Sequence, residues 1–301
     1  MSSPPMVVGV DGSESSLLAA DWAADEALLH GSPLRLVYAS LWQRYEGAAP
    51  AAGLSRPDER VMAENIVGST AERIRRRAPD LRVTTEVLPE DAAGALLRQS
   101  RDAFALVTGS RGRGEIAGLL LGSVSLAVAA GASCPAFVVR GDKAGLEGTH
   151  GRIVLGVGDA DIDSPAVRFA FAEAQLRGCE LDVVRAWRCP SYETVDHPLL
   201  ADGPAHEHEA QASSLLDEAL AAAIRDHPAV SVRRVTAEGP ARKALLGLSS
   251  AADVLVVGAR RRGSHFGMQL GRVAHTVLHH ADCPVAVVPR GGGSASEGAT
   301  P

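Results

Sequence analysis

Residues 106–140 read LVTGSRGRGEIAGLLLGSVSLAVAAGASCPAFVVR, and the order of apolar and glycine positions in them decides the fold. The apolar run Ala105-Leu106-Val107 enters a turn carrying Gly109, Gly112 and Gly114; an apolar helix is expected over 116–130 and a second strand over 136–139. Strand, helix and strand at this spacing make a parallel βαβ unit. Glycine is needed where backbone adopts positive φ or approaches another group without an intervening Cβ. Turn amides and the unpaired N–H groups of a helix start together favour an anion. Gly122 and Ser123 are placed to add an amide and a hydroxyl to the same anion.

The stretch occurs twice. Residues 255–288, LVVGARRRGSHFGMQLGRVAHTVLHHADCPVAVV, align with it without a gap; Gly258 matches Gly109, Gly271 matches Gly122 and Cys283 matches Cys134, each pair 149 positions apart. A repeat of that length is an architecture, and 301 residues suffice for two domains. The reading is therefore two tandem doubly wound α/β domains with parallel sheets, over 1–142 and 150–291. The glycine-rich segment 141–151, GDKAGLEGTHG, joins them.

In the first half, strands are expected over 6–10, 34–39 and 82–88. Helices are expected over about 17–30, capped by Ser15 or Ser16 and stopped by Gly31, then over 60–78 and 92–99. Leu17, Leu18, Ala20, Trp22, Ala24 and Leu28 supply the apolar face of the first helix, and 43–57 reads as a mobile loop. The second half repeats the plan, with strands over 153–157, 181–186 and 231–237, helices over 165–176, 206–227 and 241–249, and a loop over 189–204. In a doubly wound sheet a ligand sits beyond the carboxyl ends of the strands, where strand order reverses.

Hydrophobic content of 46% and a net charge of −6 describe a globular protein without the basic surface that nucleic acid requires. No apolar run approaches the ~18 residues of a membrane helix, and the N-terminus lacks a signal-peptide pattern, so a cytoplasmic location is expected. Cys134 and Cys283 occupy equivalent positions, and Cys179 and Cys189 show no metal-ligand spacing, so all four are expected reduced and buried. His275 and His279, four apart, and His206 and His208 read as exposed helix positions, and no metal site is expected.

The spacing G-x2-G-x9-G-S at Gly109, Gly112, Gly122 and Ser123, followed by Val124-Ser125 and later Cys134-Pro135, resembles the nucleotide-binding motif of the universal stress protein family. The resemblance implies an adenine-nucleotide α-hydrolase-like sheet in the order 3-2-1-4-5 and ATP held through its phosphates and ribose. It implies that Asp11 accepts from the adenine amino group, that Gly9 lets the ring approach, and that backbone near Ala39 meets the other adenine edge. Ser110, Arg111, Arg113, Gly114, Val124 and Ser125 belong to the nucleotide site in this reading, with Arg111 and Arg113 adding charge near the phosphates. Gly156, Ala186, Gly258, Gly263 and Gly271 are the counterparts in the second repeat. Mg2+ can accompany the phosphates, although no dedicated ligand set is apparent. Charge-assisted hydrogen bonds contribute ~1.5–3 kcal/mol each, so a few amides account for much of the ~8 kcal/mol of a micromolar complex without a Walker lysine.

The second copy departs from the pattern, with Arg261 at the position of Gly112, Arg272 at that of Ser123, and Gly158 opposite Asp11, with Asp159 and Asp161 nearby. The first domain is expected to bind ATP well and the second weakly or not at all. No nucleophile with a base, and no carboxylate pair, accompanies the glycine turn. The leading reading is thus an ATP-dependent regulator in stress response with an unknown protein target and at most slow hydrolysis. Two alternatives remain at this point: an adenylating or hydrolytic enzyme of the same fold, disfavoured because VGVDGSESS lacks an SGGxDS turn, and a nucleotide-free dimerisation module. The apolar last strands, 136–139 and 285–288, are edges that need pairing, which points to an internal pseudo-dimer and leaves a homodimer open.

Overall fold

The computed structural model describes residues 3–41, 56–112, 121–158, 164–189, 202–259 and 270–290. Its first repeat runs β1 (Met6–Gly9), α1 (Glu14–Leu29), β2 (Leu34–Ala39), α2 (Arg56–Arg77), β3 (Val83–Leu88), α3 (Ala92–Gln99), β4 (Ala105–Gly109), α4 (Ser123–Gly131) and β5 (Ala136–Val139). A short helix, α5 (Lys143–Leu146), occupies the junction. The plan then returns as β6 (Arg152–Gly156), α6 (Pro165–Arg177), β7 (Glu180–Trp187), α7 (Asp202–Asp226), β8 (Val232–Glu238), α8 (Ala241–Ser249), β9 (Val254–Gly258), α9 (Arg272–His280) and β10 (Val285–Val288).

The strands form one ten-stranded sheet in the order β3-β2-β1-β4-β5-β10-β9-β6-β7-β8. Each half has the expected 3-2-1-4-5 order with parallel neighbours, and β5 pairs antiparallel with β10, Phe137 opposite Ala286. Helices cover both faces, which is why β4, β5 and β10 are buried along their whole length. Successive residues of β5 serve opposite faces: Phe137 and Val139 join the core under α1, α2, α6 and α7, whereas Ala136 and Val138 join the cores under α3, α4, α8 and α9.

Several elements differ from the sequence expectation. In α1 the buried residues are Ser16, Ala19, Ala20, Trp22, Ala23, Ala24, Glu26 and Ala27, so Ala20, Trp22 and Ala24 face inward as expected, while Leu18 and Leu28 are 43% and 45% exposed. Small side chains at helical spacing bring the helix backbone close to the sheet, and the leucines are left on the outer face. The N-cap is Ser13, whose Oγ accepts from Ser16 N at 3.2 Å, and neither Ser15 nor Ser16 fills that role. Helix α4 begins at Ser123 because Gly122 is extended at φ −71° and ψ 151°, so Leu121 and Gly122 lie outside the helix expected over 116–130. Both long helices start earlier than expected, at Arg56 and Asp202, each with a proline in its first turn, where the missing N–H has no helical acceptor to lose. The remainder of the loops expected over 43–57 and 189–204 lies outside the described residues, except Cys189. The junction is tied to the second repeat: Asp142 caps α5 through Gly145 N at 2.8 Å, and Asp142 N donates to Asp282 O at 3.2 Å.

Two sets of side chains cross the seam beneath β5 and β10. Trp22 of α1, Phe137 of β5 and Phe169 of α6 form a chain of tilted rings with centroids 4.8 and 5.9 Å apart. Beside them, His30 at the end of α1 lies 2.9 Å from Glu173 of α6, and Arg177 of α6 reaches back to Glu26 of α1. Glu26 and Glu173 are 147 positions apart, as are His30 and Arg177 and the strand glycines Gly9 and Gly156. The two ion pairs are therefore related by the pseudo-twofold of the repeat, residue i meeting j as j meets i.

Burial works to depress the pKa of His30, but hydrogen bonding to and the charges of Glu173 and Glu26 outweigh it and raise it from 6.5 to about 9. A folded-state pKa above the unfolded one gives stability that is fully present below about pH 6.5 and is lost as pH rises through about 9. The expected outcome is a fall in the denaturant midpoint of the wild-type protein between about pH 7 and pH 10, with an upper bound of about 3 kcal/mol. His30→Gln flattens that limb; an unchanged pH profile in the variant would show that His30 does not carry the effect.

Candidate functional site

The order of the sheet reverses between β1 and β4, which lie side by side with Val8 opposite Val107. Their carboxyl ends bring together Asp11, the Gly109–Gly112 turn and the start of α4. Asp11 Oδ1 accepts from Ser13 N at 3.0 Å and Ser13 Oγ at 2.6 Å, closing an Asx turn that aims the chain into α1. The other carboxylate oxygen faces Gly112, where an added Cβ would come within 2.8 Å of it. Gly122 N donates to Ser110 O at 2.8 Å, so the turn and the start of α4 are held edge to edge.

Helix α4 has Gly122 at its N-cap with no side-chain cap, whereas α1 and α6 are capped by Ser13 and Ser164. Among the described residues no side-chain oxygen caps the first-turn amides of Ser123, Val124 and Ser125, an arrangement that suits an anion. Ser123 is exposed there. Ser125 is not: it is 5% exposed, and its hydroxyl donates to Gly109 O at 2.7 Å. Its side chain fastens α4 to β4.

The glycines have reasons that sequence spacing did not disclose. None of Gly109, Gly112 and Gly122 is among the positive-φ glycines; close approach explains Gly109 and Gly112, whereas a Cβ on Gly122 would meet nothing nearer than 3.8 Å. A Cβ on Gly109 would stand 2.6 Å from the Ser15 carbonyl oxygen, because the first turn of α1 rests on the end of β4. Ser15 Oγ also accepts from Arg111 N at 3.1 Å. At Gly9 and Gly156 the space of a Cβ is taken by Leu96 and Leu245, at 2.8 and 3.0 Å, so both glycines admit a leucine of the third helix of their repeat. Ala39 ends β2 opposite Leu88, and Ala186 of β7 pairs with Ala237 of β8. Arg113, Gly114, Arg261, Gly263, Asp159 and Asp161 lie outside the described residues.

In the second repeat Gly258 ends β9 and Gly271 is the N-cap of α9, again without a side-chain cap. Arg272 opens the helix with an exposed side chain, and Ala274 stands where Ser125 makes its bond to the strand. Arg140 is a residue the sequence reading missed. It follows Val139, which pairs with Gly109, and its guanidinium donates to Leu278 O of α9. Burial pushes its pKa down, opposed by Asp282 and Cys283 and reinforced by the nearby charge of Arg111. Its place at the end of the strand beside β4 was the available signal. His275 and His279 stack with ring centroids 4.5 Å apart on α9. Cys134 and Cys283 are buried as expected, whereas Cys179 and Cys189 are only half-buried; burial raises the Cys134 and Cys283 thiols to about 12, which leaves them unreactive at neutral pH.

A model of the universal stress protein family matches residues 4–140 and again 149–289. One universal stress protein of Mycobacterium tuberculosis is 35% identical over 301 residues, spanning 94% of this chain and 96% of that protein. A second from the same organism is 30% identical over 292 residues, spanning 95% and 96%. Among solved structures, a universal stress protein from Archaeoglobus fulgidus superposes with a TM-score of 0.67 at 20% identity, covering 97% of this chain and 100% of that one. A protein of Pseudomonas aeruginosa gives 0.63 at 16% identity, covering 96% and 93%. Among the described residues no helix is long and apolar enough to cross a membrane.

The two turn glycines are expected to respond differently to a methyl group. Gly109→Ala forces backbone against backbone and destabilises by about 1–3 kcal/mol in denaturant unfolding. Gly112→Ala meets only the end of the Asp11 side chain and leaves stability within about 0.5 kcal/mol. Equal losses in the two variants would mean that the packing at Gly109 is not the constraint described.

Proposed function

The chain belongs to the universal stress protein family, and from that premise we propose that its first repeat binds an adenine nucleotide, ATP, and that the chain acts as a nucleotide-dependent regulator in stress response. The observation that carries this is the uncapped start of α4 standing against the Gly109–Gly112 turn, held there by Gly122 N on Ser110 O at 2.8 Å. Helix dipole and unpaired amides favour the phosphates at that point, and Arg111 and Arg140 add positive charge at the rim. Asp11 supplies the purine contact: a carboxylate accepts from the adenine amino group, whereas guanine presents a carbonyl there. A carboxylate beside Gly112 repels bare phosphate, and Mg2+ carried in with ATP offsets that repulsion.

The second repeat is the weaker site in this reading. Arg272 replaces the hydroxyl of Ser123, and the bond of Ser125 to the strand has no counterpart at Ala274. Regulation requires only that ATP favour one conformation over another. Four cysteines outside any disulfide fit a chain that works in the reducing cytoplasm.

Isothermal titration of the full chain with MgATP is expected to show about one tight site, with GTP much weaker. Asp11→Ala is expected to lower ATP affinity roughly 10–100-fold, the worth of one charge-assisted hydrogen bond. No binding at millimolar ATP would end the nucleotide reading, and two sites of equal affinity would end the asymmetry between repeats.

A further inference from the structure

At the seam between the repeats, far along α1 from the crevice, one carboxylate oxygen each from Glu26 and Glu173 and a ring nitrogen of His30 all lie within 4.8 Å of one another. Nε2 of His30 is 2.9 Å from Glu173 Oε1 and 3.3 Å from Glu26 Oε1. The two carboxylates are 3% and 1% exposed. Arg177 takes the outer oxygens, with Nη2 on Glu26 Oε2 and Nε 3.3 Å from Glu173 Oε2. The inner oxygens are thereby turned toward the imidazole. One N–H cannot aim squarely at two oxygens at once, so Nε2 sits nearer to Glu173 Oε1 and holds Glu26 Oε1 less closely.

We propose that Glu26, His30 and Glu173 form a binding site for a divalent transition-metal cation of the zinc type, shared between the two repeats. Ligands ~2.0–2.2 Å from a tetrahedral ion stand ~3.3 Å from one another, close to the separations around Nε2. One imidazole with two carboxylates suits Zn2+ better than Mg2+ or Ca2+, which take oxygen ligands. Arg177 orients the carboxylates from behind, as outer hydrogen-bond partners of metal ligands do. The ring of Phe104, 4.5 Å from that of His30, helps hold the imidazole plane. Once a metal displaces the Nε2 proton, two carboxylates and one guanidinium leave a net negative charge that favours the bound cation. On binding, the proton on Nε2 leaves to solvent and the nitrogen lone pair goes to the metal.

The repeat supplies a comparison within the chain. Glu26-x3-His30 in α1 corresponds to Glu173-x3-Arg177 in α6. An ion pair across the seam is served by arginine on one side; the imidazole on the other side is the group that also offers a lone pair.

The test is a Zn2+ titration of chelator-stripped full-length protein against a competing chromophoric chelator, repeated with Co2+ to read visible d–d bands. The wild-type protein is expected to take up one equivalent at this site, and His30→Arg, which preserves both ion pairs, to bind at least about tenfold more weakly and without the Co2+ bands. A His275→Ala/His279→Ala variant is expected to keep the wild-type uptake. Should His30→Arg fail to fold, Glu173→Gln is read in the same way. Failure of the wild-type protein to bind, equal binding by wild type and His30→Arg, or loss of binding in the His275/His279 variant would overturn the proposal. None of these readouts involves nucleotide, so the ATP reading stands or falls separately.

Discussion

The antiparallel pairing of β5 with β10 is the constraint on which the remaining structure rests. Each repeat ends in a short apolar strand buried along its length, AFVV and VAVV, and an unpaired edge of that composition invites association with another chain. Pairing the two ends inside one chain removes both edges together. It also fuses two sheets into one and makes the core beneath α1, α2, α6 and α7 continuous from one repeat to the other. Phe137 sits in that core between Trp22 and Phe169, which belong to different repeats. Neither repeat buries this face without the other.

The same pairing sets α1 against α6 and so brings Glu26, His30, Glu173 and Arg177 within reach of one another. Four ionisable groups in a largely buried setting are tolerated because each cation meets a carboxylate from the other repeat. In sequence these residues look like ordinary charged positions near helix ends. Only the 147-residue equivalence of Glu26 with Glu173 and His30 with Arg177 hints that they are partners, and that hint acquires meaning once the seam is known.

Much of the fold was legible because periodicity and punctuation are local. The strands over 34–39 and 136–139 and the helices over 92–99 and 241–249 coincide with the expected bounds. The duplication made the second half a copy of the first, and the 3-2-1-4-5 order followed from the family resemblance. What escaped depends on contacts distant in sequence. Leucine outranks alanine as an apolar residue, so Leu18 and Leu28 were assigned inward, yet the tight approach of α1 to the sheet selects alanine. Gly109 reads as a phosphate-binding turn, yet its lack of a Cβ answers to Ser15, and the hydroxyl of Ser125 answers to Gly109. Arg140 went unnoticed because its neighbours, Arg111 and Leu278, come from separate repeats.

Direction matters as much as adjacency. Because β5 and β10 run head to tail, the carboxyl ends of β1 and β4 point one way along the sheet and those of β6 and β9 point the other. The two crevices therefore open at opposite poles of the molecule. Each pole carries a single crevice, so a body built from two copies of one plan presents two unlike faces. Drift at one pole leaves the other untouched, which is how Arg272 could arise opposite Ser123 without disturbing the fold that both repeats share.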